Sequence, residues 1–242
     1  MRGNTLRCAP SCNIGTHAIG PALYSKAGVD HIKDFAPISL FGTNPLVLVE
    51  HPAVPAKSVQ EFLAHIKSNP GKVAIAYGGT GTSPHLTAEL FRLTTGIDSV
   101  VVPYKGGSAA LSDLLGGHVQ AMFDGLSTQL ATIKAGNVRA LAVTSSKRNA
   151  HLPDTPTMIE SGVPIDVTAW YGICAPAGVT KPILGKLHAD MVKALNSPDV
   201  RQRLEELGLE VEPQTPEQFA ALIKSETTKW AKVIKDARVL PR

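Results

Sequence analysis

A glycine-rich segment in the first half of the chain has the composition of a loop that approaches a small anion. Its sequence is AYGGTGTSPHLTAELF, in which three glycines and several hydroxyl residues separate an apolar strand-like run from an amphipathic helix pattern. A helix that starts at Pro84, with Thr82 or Ser83 as its N-cap, offers unpaired backbone N–H groups and about half a positive charge. Such a helix start suits a phosphate or a carboxylate. A tight turn with a capped helix and no ligand would use the same residues.

The spacing of this segment excludes the two common nucleotide-binding loops. No Gly-Lys-Ser/Thr follows the glycines at the distance that a Walker A loop requires. Pro84 occupies the position of the third glycine in G-x-G-x-x-G, and no acidic residue follows a second strand at the expected place. The segment therefore predicts an anion smaller than a nucleotide.

Two later segments repeat the strand–loop–helix pattern. VVVPYKGGSAALSDLLGG carries Tyr104 and Lys105, which could donate to an anion, and MFDGLSTQL carries Asp124 at a strand end and Ser127 near a helix start. In parallel α/β sheets such loops lie at the carboxyl ends of the strands, where ligands bind. We therefore expect the three loops to share one site, although a surface turn and a helix cap would explain the last two loops separately.

No set of residues combines into a recognisable catalytic or metal centre. His85 and Glu89 lie four residues apart on a helix, but no third ligand accompanies them, so an interaction on the helix surface is the expected role. Ser11 or Cys12 with His17 could be imagined as a nucleophile and its base, but no nucleophile–base–orienter set can be assembled. The sequence predicts no enzyme, no metal and no cofactor.

The composition narrows the class of ligand. The chain has 242 residues, enough for one large domain or two small ones, and 43% of them are hydrophobic. Aromatic residues make up 5%, which disfavours nucleic-acid binding because few stacking platforms are present. The net charge of +4 is dispersed, without a block of like charges. Cys8, Cys12 and Cys174 have no metal-site spacing and allow one disulfide with an odd thiol.

Short apolar runs alternate with helical segments, which predicts an α/β fold with a mostly parallel sheet. A capping box at Ser58 and Glu61 marks one helix, Ser108 opens another, and Thr215 with Gln218 caps a long C-terminal helix. The predicted strands are 36–41, 45–50, 72–77, 99–103, 119–124, 138–144 and 170–175.

The distribution of these elements predicts two lobes. Lobe two spans residues 52–167, and lobe one combines residues 1–51 with residues 168–242, the last part of which is nearly all helix. The chain would cross between the lobes at PLVLVEHP and again near TAWYGICAPAG. Two α/β lobes leave a cleft between them, which is the usual place for a small ligand.

Several ordered segments together resemble the Bug/TctC family of extracytoplasmic solute receptors, the substrate-binding components of tripartite tricarboxylate transporters. Among them are HIKDFAPISL, GGTGTSPHLTAELF, VPYKGGSAALSDLLGGHVQAMFD and WYGICAPAGVTKP, and their order and spacing match from about Thr5 to the end of the chain. The full set lies at residues 31–40, 51–72, 78–91, 102–124, 133–162 and 170–182.

The resemblance implies a two-lobed, type II periplasmic-binding-protein fold that closes on a dicarboxylate, an amino acid or an aromatic acid and serves membrane transporter subunits. It implies binding without catalysis. The residues that it assigns to the ligand are Ser11, Asn13, Thr16 and His17 in lobe one and Gly79, Thr80, Gly81, Thr82, Ser83, His85, Tyr104, Lys105 and Asp124 in lobe two. A truncated sensor or interaction protein, and an enzyme that uses the same cleft, are the alternatives.

The N-terminal region departs from the family pattern. Members carry a signal peptide, a P-G-G-x-x-D loop and a G-A-G-G segment that this sequence lacks, so the first strand–helix–strand of lobe one is expected to be missing. Exposed sheet edges would then favour weak binding or self-association through lobe one. The family implies the periplasm, whereas the absence of an apolar signal core implies the cytoplasm if the start is genuine.

Overall fold

The computed structural model describes residues 11–24 and 29–239, which form two compact units. Cys8 lies outside the described residues. The described residues of the first unit are 11–24, 29–43, 170–234 and 239, and those of the second unit are 44–169 and 235–238. The second unit thus begins earlier than the predicted lobe two, because residues 46–50 pair with its strands.

Strands and helices alternate through the middle of the chain. The strands are β1 (Ser11–Asn13), β2 (Phe35–Glu50), β3 (Ala74–Gly78), β4 (Val100–Tyr104), β5 (Ala121–Gly125), β6 (Arg139–Val143) and β7 (Thr168–Pro176). The helices are α1 (Gly20–Leu23), α2 (Val59–Ser68), α3 (Ser83–Thr95), α4 (Gly107–Leu115), α5 (Leu126–Lys134), α6 (Lys181–Leu195), α7 (Pro198–Glu206) and α8 (Pro216–Asp236). A π-helical turn covers Ile14–Ile19.

The two strands that we predicted at 36–41 and 45–50 form the single long strand β2. The chain stays extended at Asn44 because a following proline disfavours the helical conformation of the residue before it. Within the described residues, no helix has the combination of length and apolar character that a membrane span requires.

The sheet of the second unit mixes parallel and antiparallel pairing. β3 is parallel to both β4 and β5, whereas β2 is antiparallel to β5 and to β6. The strand order is therefore β4-β3-β5-β2-β6 in this unit. Because β3, β4 and β5 run in the same direction, their carboxyl ends lie at one edge of the sheet.

Helix starts in the second unit follow the sequence signals in part. The Ser58 hydroxyl accepts from the Glu61 N–H at 3.2 Å, as predicted, but the Glu61 carboxylate accepts from Lys57 rather than from the N-cap residue. α4 begins at Gly107 with Gly106 as its N-cap, so the predicted start at Ser108 was wrong by one residue. Beneath the helices lies an apolar cluster of Val47, Val49, Ala76, Ala110, Leu114, Val119, Met122, Leu126, Val138 and Val143.

In the first unit, β1 pairs antiparallel with β7, and β7 lies between β1 and β2 in the strand order. A disulfide joins Cys12 of β1 to Cys174 of β7, which selects one of the pairings that the sequence left open. The predicted capping box of α8 is confirmed: the Thr215 N–H donates to Gln218 Oε1 at 2.9 Å, and the Gln218 N–H donates to Thr215 Oγ1 at 3.2 Å.

Candidate functional site

The carboxyl edge of the second unit brings the three predicted loops together. Gly78 at the end of β3 stands opposite Tyr104 at the end of β4 in the parallel register, and β5 pairs with β3 on its other side. α3, α4 and α5 each begin within a few residues of these strand ends. Three strand ends and three helix starts therefore surround one region of the molecule.

The first two loops approach each other so closely that only glycine fits. A Cβ atom at Gly78 would lie 2.7 Å from the Cα of Gly107 and 2.8 Å from the carbonyl carbon of Gly106. The Gly79 N–H donates to the Tyr104 carbonyl at 2.9 Å, and Gly79 has a φ of 92°, which favours glycine. The glycines of AYGGTGTS thus serve loop packing first, and the Gly79 N–H is used within the protein.

The start of α3 exposes helix donors because its own N-cap side chain does not bond them. Thr82 is the N-cap residue, yet its hydroxyl donates to the Gly79 carbonyl at 2.7 Å and no side-chain cap is present. Pro84 has no N–H, and within the described residues nothing accepts from the N–H groups of Thr80 and Ser83. These two donors, at the positive end of α3, can bind an anion.

The buried side chain of His85 forms a hydrogen bond with the loop before α3. Its Nδ1 accepts from the Gly81 N–H at 3.1 Å, which assigns the ring proton of the neutral imidazole to Nε2. The ring is buried and stacks on Tyr77 with 4.3 Å between the ring centroids. Gly81, with a φ of 82°, therefore gives its N–H to His85 rather than to solvent.

Asp124 projects from the end of β5 toward the loop before α4. Its Oδ2 lies 3.3 Å from the position of a Cβ atom built on Gly107, and it accepts from Thr128 Oγ1 and from Gln129 Nε2, each at 2.8 Å. Both donors come from α5, and Gln129 is buried. The carboxylate is thus held in place as a half-buried acceptor beside the two glycine loops.

Tyr104 and Lys105, the predicted donors of the second loop, differ in whether their polar groups are bonded within the protein. The Tyr104 hydroxyl donates to Asp113 Oδ2 at 2.6 Å, and this hydrogen bond raises the pKa of Tyr104. Lys105 is exposed. As at α3, no side-chain cap bonds the first turn of α4, whose N-cap is Gly106. At this loop the backbone N–H groups and the exposed Lys105 ammonium, rather than the tyrosine hydroxyl, are therefore the available donors.

Asn44 is a positioning residue that the sequence reading missed. Its Oδ1 accepts from the Ser127 N–H at 3.2 Å and its Nδ2 donates to the Ser127 hydroxyl at 2.8 Å, so β2 caps α5 from outside the helix. A Cβ atom at Gly125 would lie 2.7 Å from Asn44 Nδ2. The sequence signal for Asn44 was a side-chain amide at the start of the apolar run TNPLVLVE. The sequence signal for the hydrogen bond between Asp124 and Thr128 was their spacing of four residues.

The predicted residues of the first unit are engaged with one another. Asn13 Oδ1 accepts from the Thr16 N–H at 3.0 Å, and Thr16 Oγ1 accepts from the Asn13 N–H at 3.2 Å, which together cap the π-helical turn. Thr16 Oγ1 also lies 2.8 Å from His17 Nδ1. Ser11 is exposed on β1. Side chains that were predicted to bind a ligand thus hold their own turn.

His17 is buried in this turn, and its charged form is disfavoured. Desolvation by burial, with a smaller effect from the neighbouring His31, lowers the pKa of His17 to about 4. Its ring meets those of His31 and Phe35 edge-on, with centroid distances of 5.3 Å and 5.2 Å. At neutral pH it is a neutral imidazole and not a cation for an anionic ligand.

Comparison with known proteins identifies the family. The family model for the tripartite tricarboxylate transporter family receptor, TctC, matches residues 10–239. The chain belongs to this family. The UPF0065 protein in the tcbD-tcbE intergenic region of Pseudomonas sp. strain P51 is 39% identical over 222 residues, which are 89% of this chain and 65% of that protein. The chain thus spans about two thirds of the length of that relative.

Solved structures confirm the predicted periplasmic-binding-protein fold of the TctC type. Rpa4515 of R. palustris, determined with adipate, is 30% identical and has a TM-score of 0.86 over 96% of this chain and 78% of that chain. MatC (Rpa3494) of Rhodopseudomonas palustris, determined with bound malate, is 32% identical and has a TM-score of 0.80 over 93% of this chain and 78% of that chain. Both of these proteins were thus determined with a small dicarboxylate.

Proposed function

We propose that this chain is a solute-binding receptor that captures a small organic carboxylate at the carboxyl edge of β3, β4 and β5. The observation that carries the proposal is the meeting of three strand-end loops, in which the starts of α3 and α4 carry no side-chain cap. Backbone N–H groups at helix starts bind carboxylates without a cationic side chain. The family membership and the dicarboxylates in the two related structures support the same ligand class.

Asp124 narrows the ligand class within this proposal. The Asp124 carboxylate beside the proposed anion site would repel the second carboxylate of a dicarboxylate ligand. A hydrogen-bond donor on the ligand would offset this repulsion. A hydroxyl or amino group on the ligand would donate to the Asp124 oxygens, which α5 already holds in place. We therefore expect hydroxy acids and amino acids to bind more tightly than unsubstituted dicarboxylates of the same length.

The role of a receptor without catalysis is part of the proposal. Cys12, one of the nucleophiles considered from the sequence, is bonded to Cys174. The other candidate nucleophile, Ser11, lies on β1. The Nδ1 atom of His17, the candidate base, contacts the Thr16 hydroxyl rather than Ser11. The contribution of Ser11, Thr16 and His17 to ligand binding stays a prediction, whereas Asn13, whose Oδ1 accepts from the Thr16 N–H, is expected to act mainly on stability.

Delivery to membrane transporter subunits and action in the periplasm are also proposed from family membership. The Cys12–Cys174 disulfide suits an oxidising compartment. Fractionation of the native cells with an antibody against this chain tests the location. Recovery in the periplasmic fraction is expected, and recovery with cytosolic markers contradicts it.

Calorimetric titration of the purified chain with malate, adipate, glutamate and benzoate tests the binding proposal. We expect saturable one-to-one binding of at least one acid, with no product detected by NMR after prolonged incubation. Binding of none of these acids argues against a carboxylate receptor, and conversion of a bound acid argues for the enzyme alternative.

A pair of glycine variants assigns the binding to the loop before α3. Gly81→Val and Gly136→Val place the same side chain at φ values of 82° and 72°, so both strain the backbone. Only Gly81 lies in the proposed site, since Gly136 follows α5 at its far end. We expect Gly81→Val to weaken binding more than about 10-fold beyond Gly136→Val at equal folded fraction. Equal affinities would remove the loop from the site.

A further inference from the structure

A second group of chemically reactive side chains lies in the first unit, apart from the strand-end loops. Cys12, His17 and Cys174 are all buried, and one ligand atom from each lies within 4.8 Å of the other two. Cys12 is on β1, Cys174 is on β7, and His17 is in the π-helical turn that follows β1. The two cysteines form a disulfide with their Cα atoms 6.0 Å apart.

The orientation of the His17 ring leaves one nitrogen for a ligand. Nδ1 lies 2.8 Å from Thr16 Oγ1, and that hydroxyl also contacts the Asn13 backbone, so the ring is held by a hydrogen bond on its Nδ1 side. Nε2 is buried and has no hydrogen-bond partner in the described part of the chain. Metal-binding histidines are commonly oriented by such a bond to the nitrogen that does not bind the metal.

A cavity borders this group of side chains. It has a volume of about 390 Å³ and is lined by His17, His31, Phe35, Cys174 and Lys224 among others. His31 also has a buried nitrogen, Nδ1, without a partner among the described residues, and its ring centroid lies 5.3 Å from that of His17. The same cavity is thus bordered by one of the two cysteines and by both imidazoles.

We propose that the reduced protein binds one zinc ion through Cys12 Sγ, Cys174 Sγ and His17 Nε2, with the fourth position facing the cavity. Two thiolates and an imidazole are ligands that Zn²⁺ favours, and water or His31 can complete a tetrahedral site. The disulfide excludes the ion because neither sulfur is then a thiolate. Cys12 and Cys174 thus form either a disulfide, when oxidised, or part of a metal site, when reduced.

The chemistry balances in two steps. A phosphine reductant breaks the S–S bond and, with one water molecule, yields two thiols and the phosphine oxide. Zn²⁺ then displaces the two thiol protons to solvent as two Zn–S bonds form. In a tetrahedral site with Zn–S bonds of about 2.3 Å the sulfur atoms lie roughly 3.8 Å apart, so they separate only modestly from their bonded position.

The test compares oxidised and phosphine-reduced protein in the Cys8→Ser background, which removes the third thiol. After incubation with Zn²⁺ and removal of free ion, metal analysis should find about one zinc per reduced chain and none per oxidised chain. Co²⁺ in place of Zn²⁺ should give thiolate-to-cobalt charge-transfer absorption only after reduction. Circular dichroism in the near ultraviolet must show that the reduced protein is folded. Reduced protein that unfolds, binds no zinc, or binds as much as the oxidised form overturns the proposal.

Two single-residue variants identify the third ligand. His17→Phe should weaken zinc binding to the reduced protein more than about 100-fold, whereas His118→Phe, at an exposed histidine of the second unit, should leave it unchanged. Cys174→Ser provides a second check, because it should abolish the cobalt charge-transfer band as well as the disulfide. Unchanged affinity in His17→Phe overturns the proposed ligand set. Carboxylate titration of the same samples reports separately on the proposed receptor function.

Discussion

The strand-end loops of the second unit and the turn at residues 13–17 of the first unit contain similar residues but use them differently. In the second unit, no side chain caps α3 or α4, and the Thr82 hydroxyl bonds a carbonyl instead. In the first unit, Asn13 and Thr16 bond each other and cap their own turn. The difference teaches that similar hydroxyl and amide residues can either leave the backbone donors of a helix start unbonded or bond those of their own turn.

The two units also differ in the ionisable group that each buries. Burial raises the pKa of Glu50, in the second unit, to about 7, against the opposing effect of Arg139. Burial lowers the pKa of His17, in the first unit, to about 4. The same physical cause therefore makes acidification favour the folded second unit through Glu50 and disfavour the folded first unit through His17.

The largest effect should come from filling the contact between the first two loops. Gly78→Ala would place its Cβ atom 2.7 Å from the Cα of Gly107 and 2.8 Å from the carbonyl carbon of Gly106, so we expect a loss of about 3 kcal/mol in unfolding free energy, with loss of carboxylate binding. Urea unfolding and calorimetry measure the two effects. Gly106→Ala is the matched control, since its Cβ atom meets nothing within 4 Å. Equal effects of the two variants would show that the close approach is unimportant.

The pH dependence of stability should report Glu50. Its folded pKa of about 7 exceeds the reference value of 4.5, so the folded state holds the proton more tightly and the unfolding free energy falls as the pH rises through this window. The loss by pH 8 is roughly 3 kcal/mol at most. The charged groups facing Glu50 are Arg139, at 2.7 Å, and Glu61.

Glu50→Gln should remove this contribution while it keeps an acceptor for Arg139. Urea unfolding at pH 5 and pH 8 should therefore show a smaller fall in stability for the variant than for the wild type. Glu206→Gln, which removes an exposed carboxylate of α7, controls for the change in net charge. Equal falls in wild type and Glu50→Gln would contradict the raised pKa of Glu50.

The role of Asp124 can be separated from that of the helix starts by ligand class. Asp124→Asn removes a negative charge, so malate and glutamate should lose about 10-fold in affinity while adipate binds as well or better. Calorimetry with the three acids measures this change in preference. A uniform loss for all three acids would point to a structural role through Thr128 and Gln129.

In the first unit, loss of the cap should affect folding more than binding. Asn13→Ala removes the side chain that bonds the Thr16 N–H, so we expect about 1 kcal/mol less unfolding free energy and an affinity within about twofold of the wild type. Asn13→Asp keeps the acceptor and should retain stability. A loss of affinity in both variants at full folding would place Asn13 in contact with the ligand and remove the contrast between the units.

The smallest effect should be that of Tyr104→Phe. The hydroxyl bonds Asp113 near the surface, so its removal should lower the unfolding free energy by only about 0.5 kcal/mol and change the carboxylate affinity by less than twofold. Thermal unfolding and calorimetry test both values. A tenfold loss of affinity would instead identify the Tyr104 hydroxyl as a ligand donor.

Local signals predicted much of the architecture because they act over a few residues. Ser58 and Thr215 cap the helices that they were expected to cap, and the three strand–loop–helix segments occur where the glycine and hydroxyl pattern placed them. The antiparallel pairing of β2 with β5 and β6 had no such signal. Strand pairing joins distant segments, and an apolar run looks the same in either direction.

The sequence alone determined that glycine-rich turns precede α3 and α4, and its ordered segments resembled the TctC receptor family. Only the tertiary structure decided which backbone donors of these turns stay unbonded: Gly79 bonds Tyr104, Gly81 bonds His85, and the N–H groups of Thr80 and Ser83 have no partner in the described part of the chain. It also paired Cys12 with Cys174 beside His17. The residue type determines which bonds a group is able to form, but the three-dimensional positions of its neighbours determine which of these bonds it forms.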